Sequence, residues 1–259
     1  TAVTGVNFGF SNDVVTNAND FTTCPVTGTA GSLVVASCQG SLRQFMTNAN
    51  DIAGANSMRF VPAVTPNQTT YWSNVLSAGL PTVTGGDTTL DGTTYNNTDG
   101  TSILNTNNVV LGNTTTQVGR ITGTLPGLNA PEYEIVGGAF NVNASNFVMQ
   151  SMGVLRGQIN INPSTNILFN KMLFGSFASG FTDPGNANRS TYHIFASSNI
   201  AGMTIQNSLF GFSKLGGVFL NNYSHGLSTS PTSKTSNFCI TPWRPLTIAS
   251  SQATRHKLS

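Results

Sequence analysis

The strongest constraint on how this chain can fold is a short block of residues that occurs three times. The last two copies share an apolar first residue, a polar Asn or Gln in the middle, and Leu-Phe-Gly at the end. The copies are Asn146–Gly153, Ile167–Gly175 and Met203–Gly211. Such internal similarity is typical of a solenoid, in which each coil of the chain buries its apolar side chains against the neighbouring coils.

The spacing of the copies predicts the length of a coil. Gly153 and Gly175 are 22 residues apart, about one coil of a parallel β-helix. Gly175 and Gly211 are 36 residues apart, which predicts one coil with an inserted loop. An Asn introduces each copy: Asn146, Asn166 and Asn199. Because Asn tolerates the left-handed conformation, these residues are predicted to stack at a bend.

Composition agrees with an all-β fold. Hydrophobic residues make up 38% of the chain but charged residues only 8%, against ~25% in an average domain. The polar residues are instead neutral, with 35 Thr and 30 Asn. Helical bundles cover their solvent face with Glu, Lys and Arg, and a β-sandwich predicts hairpin turns every ~8–12 residues, so neither fits. No apolar run is long enough for a transmembrane helix.

One segment, residues 41–50, is predicted to be an α-helix. Ser41 is placed to cap its N-terminus, with Gln44 at the capping-box position, and Gly54 supplies the stop. The apolar residues of the segment recur at helical spacing and form one stripe: Leu42, Phe45, Met46 and Ala49.

The region around this helix resembles a known family. The sequence Gly-Ser-Leu-Arg-Gln-Phe at 40–45 is similar to the "SLRQ" capping segment of right-handed parallel β-helix modules in large bacterial secreted and cell-surface proteins of the adhesin and autotransporter kind. Further matching segments are Asn48–Asn50, Met58–Phe60, Leu80–Thr82, Leu90–Thr94 and Pro131–Gly137. The resemblance covers residues 6–222. It implies an all-β, right-handed parallel β-helix with a short N-terminal capping α-helix, in which Leu42, Phe45 and Met46 plug the first coil.

The chain divides into three parts on this interpretation. Residues 1–40 hold an N-terminal strand and a disulfide loop, residues 41–222 hold the capping helix and the β-helix coils, and residues 223–259 form a tail without the repeat. The strands of the last coil carry unpaired N–H and C=O groups, which can template further strands unless they are covered. The N-terminal segment is therefore expected to add to the last coil of another molecule, which predicts a head-to-tail homo-oligomer or filament. The alternative is that residues 1–20 fold back on their own chain and the tail caps the coils.

The three cysteines are Cys24, Cys38 and Cys239. Cys24 and Cys38 bracket a Gly/Thr/Val stretch, and a disulfide between them would contribute ~3 kcal/mol in the chain-entropy model. Their spacing does not suit zinc, and two unrelated buried thiols are the alternative. A disulfide agrees with an extracellular or cell-surface location.

Charge is uneven along the chain, net −4 over residues 1–183 and +6 over residues 184–259. Such asymmetry can mark a surface for polyanions. The six basic residues of the second part are sparse, with no run before Arg255–Lys257, so nucleic acid is not an expected partner.

Candidates for catalysis are few. Asp87, Asp91 and Asp99 lie in a turn-rich stretch where Asp makes Asx-turns. Glu132 and Glu134 share one face of a strand, and both groups are expected to be solvated surface. His193 lies in an apolar strand and is expected to point to solvent. The sequence therefore predicts no catalytic, metal or cofactor site, and no enzyme.

These observations predict a non-catalytic extracellular structural or adhesive protein that self-associates. The alternative is a carbohydrate-binding or polysaccharide-degrading β-helix protein with surface glycans as partners. Tyr71, Trp72 and Trp243 are the candidates for stacking on a sugar, although such residues are more often core or capping residues. Ice binding is a third and weaker hypothesis, because no regular Thr-x-Thr ladder recurs at one coil position.

Overall fold

The structure is a computed structural model and describes residues 13–20, 39–112, 115–118, 121–124, 127–196, 200–220 and 249–250. These residues are mainly β. In chain order the elements are β1 (Val14–Val15), α1 (Leu42–Asp51), β2 (Asn56–Ser57), β3 (Arg59–Phe60), β4 (Trp72–Val75), β5 (Thr88–Asp91), β6 (Val110–Leu111), β7 (Thr115–Val118), β8 (Ile121–Thr124), β9 (Leu128–Asn129), β10 (Tyr133–Val136), β11 (Ala139–Val142), β12 (Val148–Gln150), β13 (Met152–Leu155), β14 (Gln158–Ile161), β15 (Ser164–Asn170), β16 (Leu173–Phe174), a 3₁₀ turn (Asn186–Asn188), β17 (Ser190–Ala196), β18 (Ile200–Gln206), β19 (Leu209–Phe210), β20 (Ser213–Leu220) and β21 (Ala249–Ser250).

Three five-stranded parallel sheets make up most of the fold. Sheet 1 has the order β2-β5-β12-β15-β18, sheet 2 has β4-β10-β13-β16-β19, and sheet 3 has β11-β14-β17-β20-β21. The chain visits the sheets in rotation, so that β12, β13 and β14 are followed by β15, β16 and β17 and then by β18, β19 and β20. Each strand pairs in parallel with the strand of the same sheet one round later, which confirms the prediction of stacked, mainly β structure.

Two insertions interrupt this rotation. The first insertion, residues 92–131, lies between β5 and β10 and contains two antiparallel pairs, β6–β9 and β7–β8. The second insertion, residues 175–189, lies between β16 and β17. The second agrees with the loop that the longer repeat spacing predicts.

The register corrects one predicted coil length. Val148 pairs with Leu168, and the equivalent Asn146 and Asn166 are 20 residues apart, not 22. The reason is that Gly153 pairs with Leu173, so it is not the counterpart of Gly175. The two Leu-Phe-Gly copies are in register, with the equivalent Met172 and Ser208 separated by 36 residues.

Stacked side chains support one bend of the coils. Asn166 Nδ2 donates to Asn146 Oδ1 (3.0 Å), and Asn146 Nδ2 donates to Asp87 Oδ1 (2.8 Å). All three residues have φ of 56–57°, the left-handed conformation predicted for the two asparagines. In the next coil this position belongs to Gly202 (φ 74°), while Asn199 lies outside the described residues.

The helix α1 forms as predicted and packs on the core. Ser41 Oγ accepts a hydrogen bond from the Gln44 amide (3.2 Å). The side chain of Asn56 caps the other end by donating to the carbonyls of Ile52 (3.1 Å) and Gly54 (3.0 Å). The predicted apolar stripe is buried in the same core cluster as the strands of all three sheets: Leu42, Phe45, Met46 and Ala49.

The N-terminal segment pairs with its own chain where the structure describes it. Strand β1 lies parallel to β3, with Val15 beside Phe60. Asp20 forms a salt bridge with Arg43 of α1 (2.6 Å) and accepts from the Ser77 amide (2.8 Å). Hydrogen bonds from Ser77 and Arg43 outweigh the effect of burial and lower the pKa of Asp20. Cys24, Cys38, Cys239 and nearly all of the tail lie outside the described residues.

The packing of α1 predicts a large loss of stability for Phe45→Ala. Removing this buried ring should lower the free energy of unfolding by about 3–5 kcal/mol, because transfer and cavity terms add. Urea denaturation followed by circular dichroism measures the loss. Thr47→Ala on the exposed side of the same helix is the control and should change stability by about 0.5 kcal/mol or less. Equal stability of the two variants would contradict the capping role.

Candidate functional site

Two carboxyl groups are buried on sheet 2. Glu132 precedes β10, and Glu134 lies within it, on the opposite side from the core residues Tyr133 and Ile135. Their exposed fractions are 7% and 1%, so the prediction that they form solvated surface is wrong. The physical reason is that both insertions contact this side of the strand and shield the carboxyls from water.

Glu134 joins sheet 2 to the second insertion. Its Oε1 accepts from the Ser73 hydroxyl of the neighbouring strand β4 (3.2 Å), and its Oε2 accepts from the Ala178 amide (2.9 Å). Burial raises the pKa of Glu134 to about 7 despite these hydrogen bonds. The carboxyl therefore titrates near neutral pH.

Glu132 joins the same strand to the first insertion. Its Oε1 accepts from the Asn107 amide (2.9 Å), and its Oε2 accepts from the Thr106 hydroxyl (2.5 Å). Burial raises the pKa of Glu132, although both hydrogen bonds act against the shift. The Asn107 side chain, fully buried, donates to the carbonyls of Pro131 (2.9 Å) and Ala178 (3.0 Å) and so connects the two insertions.

These contacts define a carboxyl cluster: Tyr71, Ser73, Thr106, Asn107, Glu132 and Glu134. Burial and the charge of Glu134 raise the pKa of the Tyr71 phenol, which forms a side-chain hydrogen bond with Ser179. All four carboxylate oxygens accept hydrogen bonds from the protein itself. Among the described residues, the salt bridges are those of Arg43 and Arg189, so neither glutamate is paired with a cation there. The arrangement fastens segments together and leaves no carboxylate oxygen without a partner.

A groove of about 630 Å³ borders the cluster at the corner between sheets 1 and 2. One wall is formed by the corner residues of three successive coils, Ser151, Lys171 and Asn207, which all have φ of 50–55°. The other wall comes from the first insertion and ends at Glu132. Leu128 and Leu209, members of a small separate apolar cluster, complete the lining.

The three aspartates have turn and stacking roles. Asp91 accepts from the Thr93 amide (2.9 Å), and Asp99 from the Thr101 amide (2.8 Å), which confirms the predicted Asx-turns. Hydrogen bonds from Ser102 and Thr101 lower the pKa of Asp99 to about 2. Asp87 instead accepts from Asn146 of the next coil.

His193 is buried, not solvent-facing as predicted, with an exposed fraction of 1%. His193 and its neighbour Ile194 are both buried, so the inside–outside alternation of β17 is broken at this point. The ring stacks on Phe174 (6.0 Å, 28°), and Gly175 leaves the space it fills, since a Cβ there would lie 2.2 Å from His193 Cε1. Burial lowers the pKa of His193 to about 4, so the ring is neutral at physiological pH.

The aromatic residues predicted as sugar-stacking candidates are core residues where the structure describes them. Tyr71 and Trp72 are 5% and 3% exposed, and Trp72 packs edge-on against Phe60 (5.5 Å). Neither presents an open ring face, and Trp243 lies outside the described residues. Half-buried aromatic rings occur instead on sheet 3, where Phe195 and Phe219 stack at 4.8 Å. No sequence pattern predicts this pair, because Phe195 and Phe219 are brought together only by the register between β17 and β20.

Two features are absent from the described part of the chain. It contains no group of three or more His, Cys, Asp and Glu side chains arranged to hold a metal ion. It also contains no helix with the length and hydropathy needed to span a membrane.

The fold and the site together define a mainly β protein of stacked parallel strands, with two insertions fastened to one sheet by buried carboxyl groups. Comparison of the chain with protein families, with curated proteins and with solved structures finds no match. A relation to surface adhesins therefore stays a hypothesis.

Glu134 predicts a specific pH dependence of stability. Its pKa is about 7 in the folded protein against 4.5 for a solvated carboxyl, so the folded state binds more protons between these values. The free energy of unfolding should therefore fall as pH rises through this window and stay low above it. Glu134→Gln keeps an acceptor for Ala178 and removes the charge. The free energy of unfolding of the variant should exceed that of the wild type by up to ~3 kcal/mol above pH 7 and equal it near pH 4.

Urea denaturation at pH 4, 6 and 8 measures this difference. Glu132 contributes equally to the free energy of unfolding of both proteins, so its contribution cancels in their difference. A constant difference between the two proteins across the three pH values would contradict the assignment.

Proposed function

We propose that the chain is a right-handed parallel β-helix, capped by α1, that acts outside the cell as a non-catalytic structural or adhesive protein and associates head to tail. The rotation of the strands through three parallel sheets supports the β-helix. The "SLRQ" segment at residues 41–44 forms the N-cap and first turn of the cap, as the resemblance implies. The low charge of the chain and the pair of cysteines 24 and 38 support an extracellular location.

The observation that carries the proposal is the polarity of the stack. Because all three sheets are parallel, the two ends of the molecule differ. One end has α1 packed on its core, and among the described strands the last of sheets 1 and 2 are β18 and β19. A contact between unlike ends repeats without closing, which produces a filament. Val14 and Val15 already pair with β3, so the contact proposed uses the outer side of α1 and not addition of this strand.

The outer surfaces of the sheets also favour a structural role. Neutral amides bond along the stack, from Asn160 to Asn141 (2.9 Å) and from Asn207 to Asn170 (3.0 Å). The carboxyls of Glu132 and Glu134 are engaged within the chain. Low surface charge opposes stacking of molecules only weakly.

Sedimentation velocity over a range of concentrations tests the association. The wild-type mass should rise with concentration, and Thr47→Glu on the exposed side of α1 should keep the protein monomeric, because it brings a charge into the contact. Thr191→Glu, an equally exposed Thr on β17, is the matched control and should associate like the wild type. A monomeric wild type at the highest concentration, or association of Thr47→Glu, would contradict the proposal.

A second candidate function, carbohydrate binding or polysaccharide degradation, is favoured by the groove beside Glu132. A screen of acidic and neutral polysaccharides for cleavage separates degradation from binding. Product formation that Glu132→Gln abolishes would favour the enzyme and overturn the non-catalytic proposal.

A further inference from the structure

We propose that the groove between the coil corners and the first insertion binds an oligosaccharide that carries a carboxylate, with Lys171 as the residue that pairs with it. This inference rests on the proposed adhesive function and gives it a ligand. It concerns a part of the molecule distant in the sequence from α1, where the association contact is proposed.

The groove has the size and rigidity of a preformed site. Its volume of about 630 Å³ lies within the range that small-molecule sites occupy. The wall from the first insertion is fixed by the bonds of Glu132 to Thr106 and Asn107. The opposite wall is fixed by parallel pairing of the coils on either side of each corner. Binding therefore requires little ordering of the chain.

The polar lining suits a sugar. Amide and hydroxyl groups of Asn105, Asn129, Ser151 and Asn207 border the groove, beside the apolar side chains of leucines 128 and 209. A pyranose ring combines hydroxyl groups with apolar C–H faces, so both kinds of lining have a counterpart on it. The described lining residues include no aromatic side chain, so a flat heteroaromatic ligand would have no ring to stack on.

The charge of the groove favours an anionic ligand. Lys171 and Glu132 are the charged residues among the described lining. Both oxygens of Glu132 already accept hydrogen bonds, and burial favours its neutral form. Lys171 is exposed and has no salt bridge in the described part of the chain. Its corner position has φ 53°, a conformation uncommon for lysine, and the residues stacked above and below it are neutral.

A sugar that carries a carboxylate matches both the polar lining of the groove and the positive charge of Lys171. The ammonium of Lys171 supplies a charge-assisted hydrogen bond, and the amides on the same wall bond the neighbouring hydroxyls. A neutral oligosaccharide would leave the ammonium without a partner, and inorganic phosphate would leave the amides and leucines unused.

Isothermal titration calorimetry with three probes tests the proposal: a set of uronic-acid oligosaccharides, a set of neutral gluco-oligosaccharides and inorganic phosphate. At least one uronic-acid oligosaccharide should bind, and Lys171→Met should weaken its binding at least tenfold. Lys214→Met removes an equally exposed lysine from β20 and should leave binding unchanged. Asn105→Asp, at an exposed position in the groove, should also weaken binding through repulsion.

Circular dichroism and melting of each variant establish that it is folded. No binding of any uronic-acid oligosaccharide, equal binding of the neutral set or of phosphate alone, or unchanged binding by folded Lys171→Met would overturn the proposal. Sedimentation of the wild-type protein keeps the two proposals apart: a wild type that associates but binds no uronic-acid oligosaccharide refutes the groove proposal, and a wild type that binds one but stays monomeric refutes the filament.

Discussion

The fold depends on hydrogen bonding between successive coils along one direction. Each inner strand of the three sheets finds its partners one round earlier and one round later, so no coil satisfies its backbone alone. The first strands of sheets 1 and 2 have no earlier partner among the described residues, and α1 buries its apolar side in the same core cluster. Its attachment is polar as well as apolar, since Asn50 accepts from the amides of Thr84 (2.8 Å) and Gly85 (3.1 Å) of the coil beneath it. Asn50 is thus part of the attachment of α1 to the strands.

The buried carboxyl cluster shows how irregular segments are held on this regular stack. An insertion cannot use the coil register, so its backbone amides need other acceptors. Glu132 and Glu134 supply four oxygens to groups of both insertions and of β4, and Asn107 links the insertions to each other. Burial beneath the insertions disfavours the charged form of both glutamates and raises their pKa values, although these hydrogen bonds act against the shift. Loop attachment and sensitivity to pH therefore have the same origin.

Sequence reasoning was sufficient for the features that depend on local pattern. The repeat predicted parallel stacking, and the spacing of Leu42, Phe45 and Met46 predicted the buried side of α1. It failed for Glu134 and His193 because alternation tells which face of a strand a residue occupies but not what covers that face. The partners of Glu134 are 44 and 61 residues away in sequence, at Ala178 and Ser73. The burial of His193 depends on the space left by Gly175 and on stacking with Phe174, and neither residue is close to His193 in the sequence.

The positions of the two insertions have a consequence for how such a chain can diverge. Each insertion leaves the stack after a strand that stays in register with its neighbours, at β5 for the first and β16 for the second. Lengthening or replacing the segment that follows would change the outline of the molecule while the core keeps its geometry. Related chains can accordingly differ most at these corners. Heterologous peptides are best grafted there, provided that the carboxyl groups of Glu132 and Glu134 keep hydrogen-bond donors.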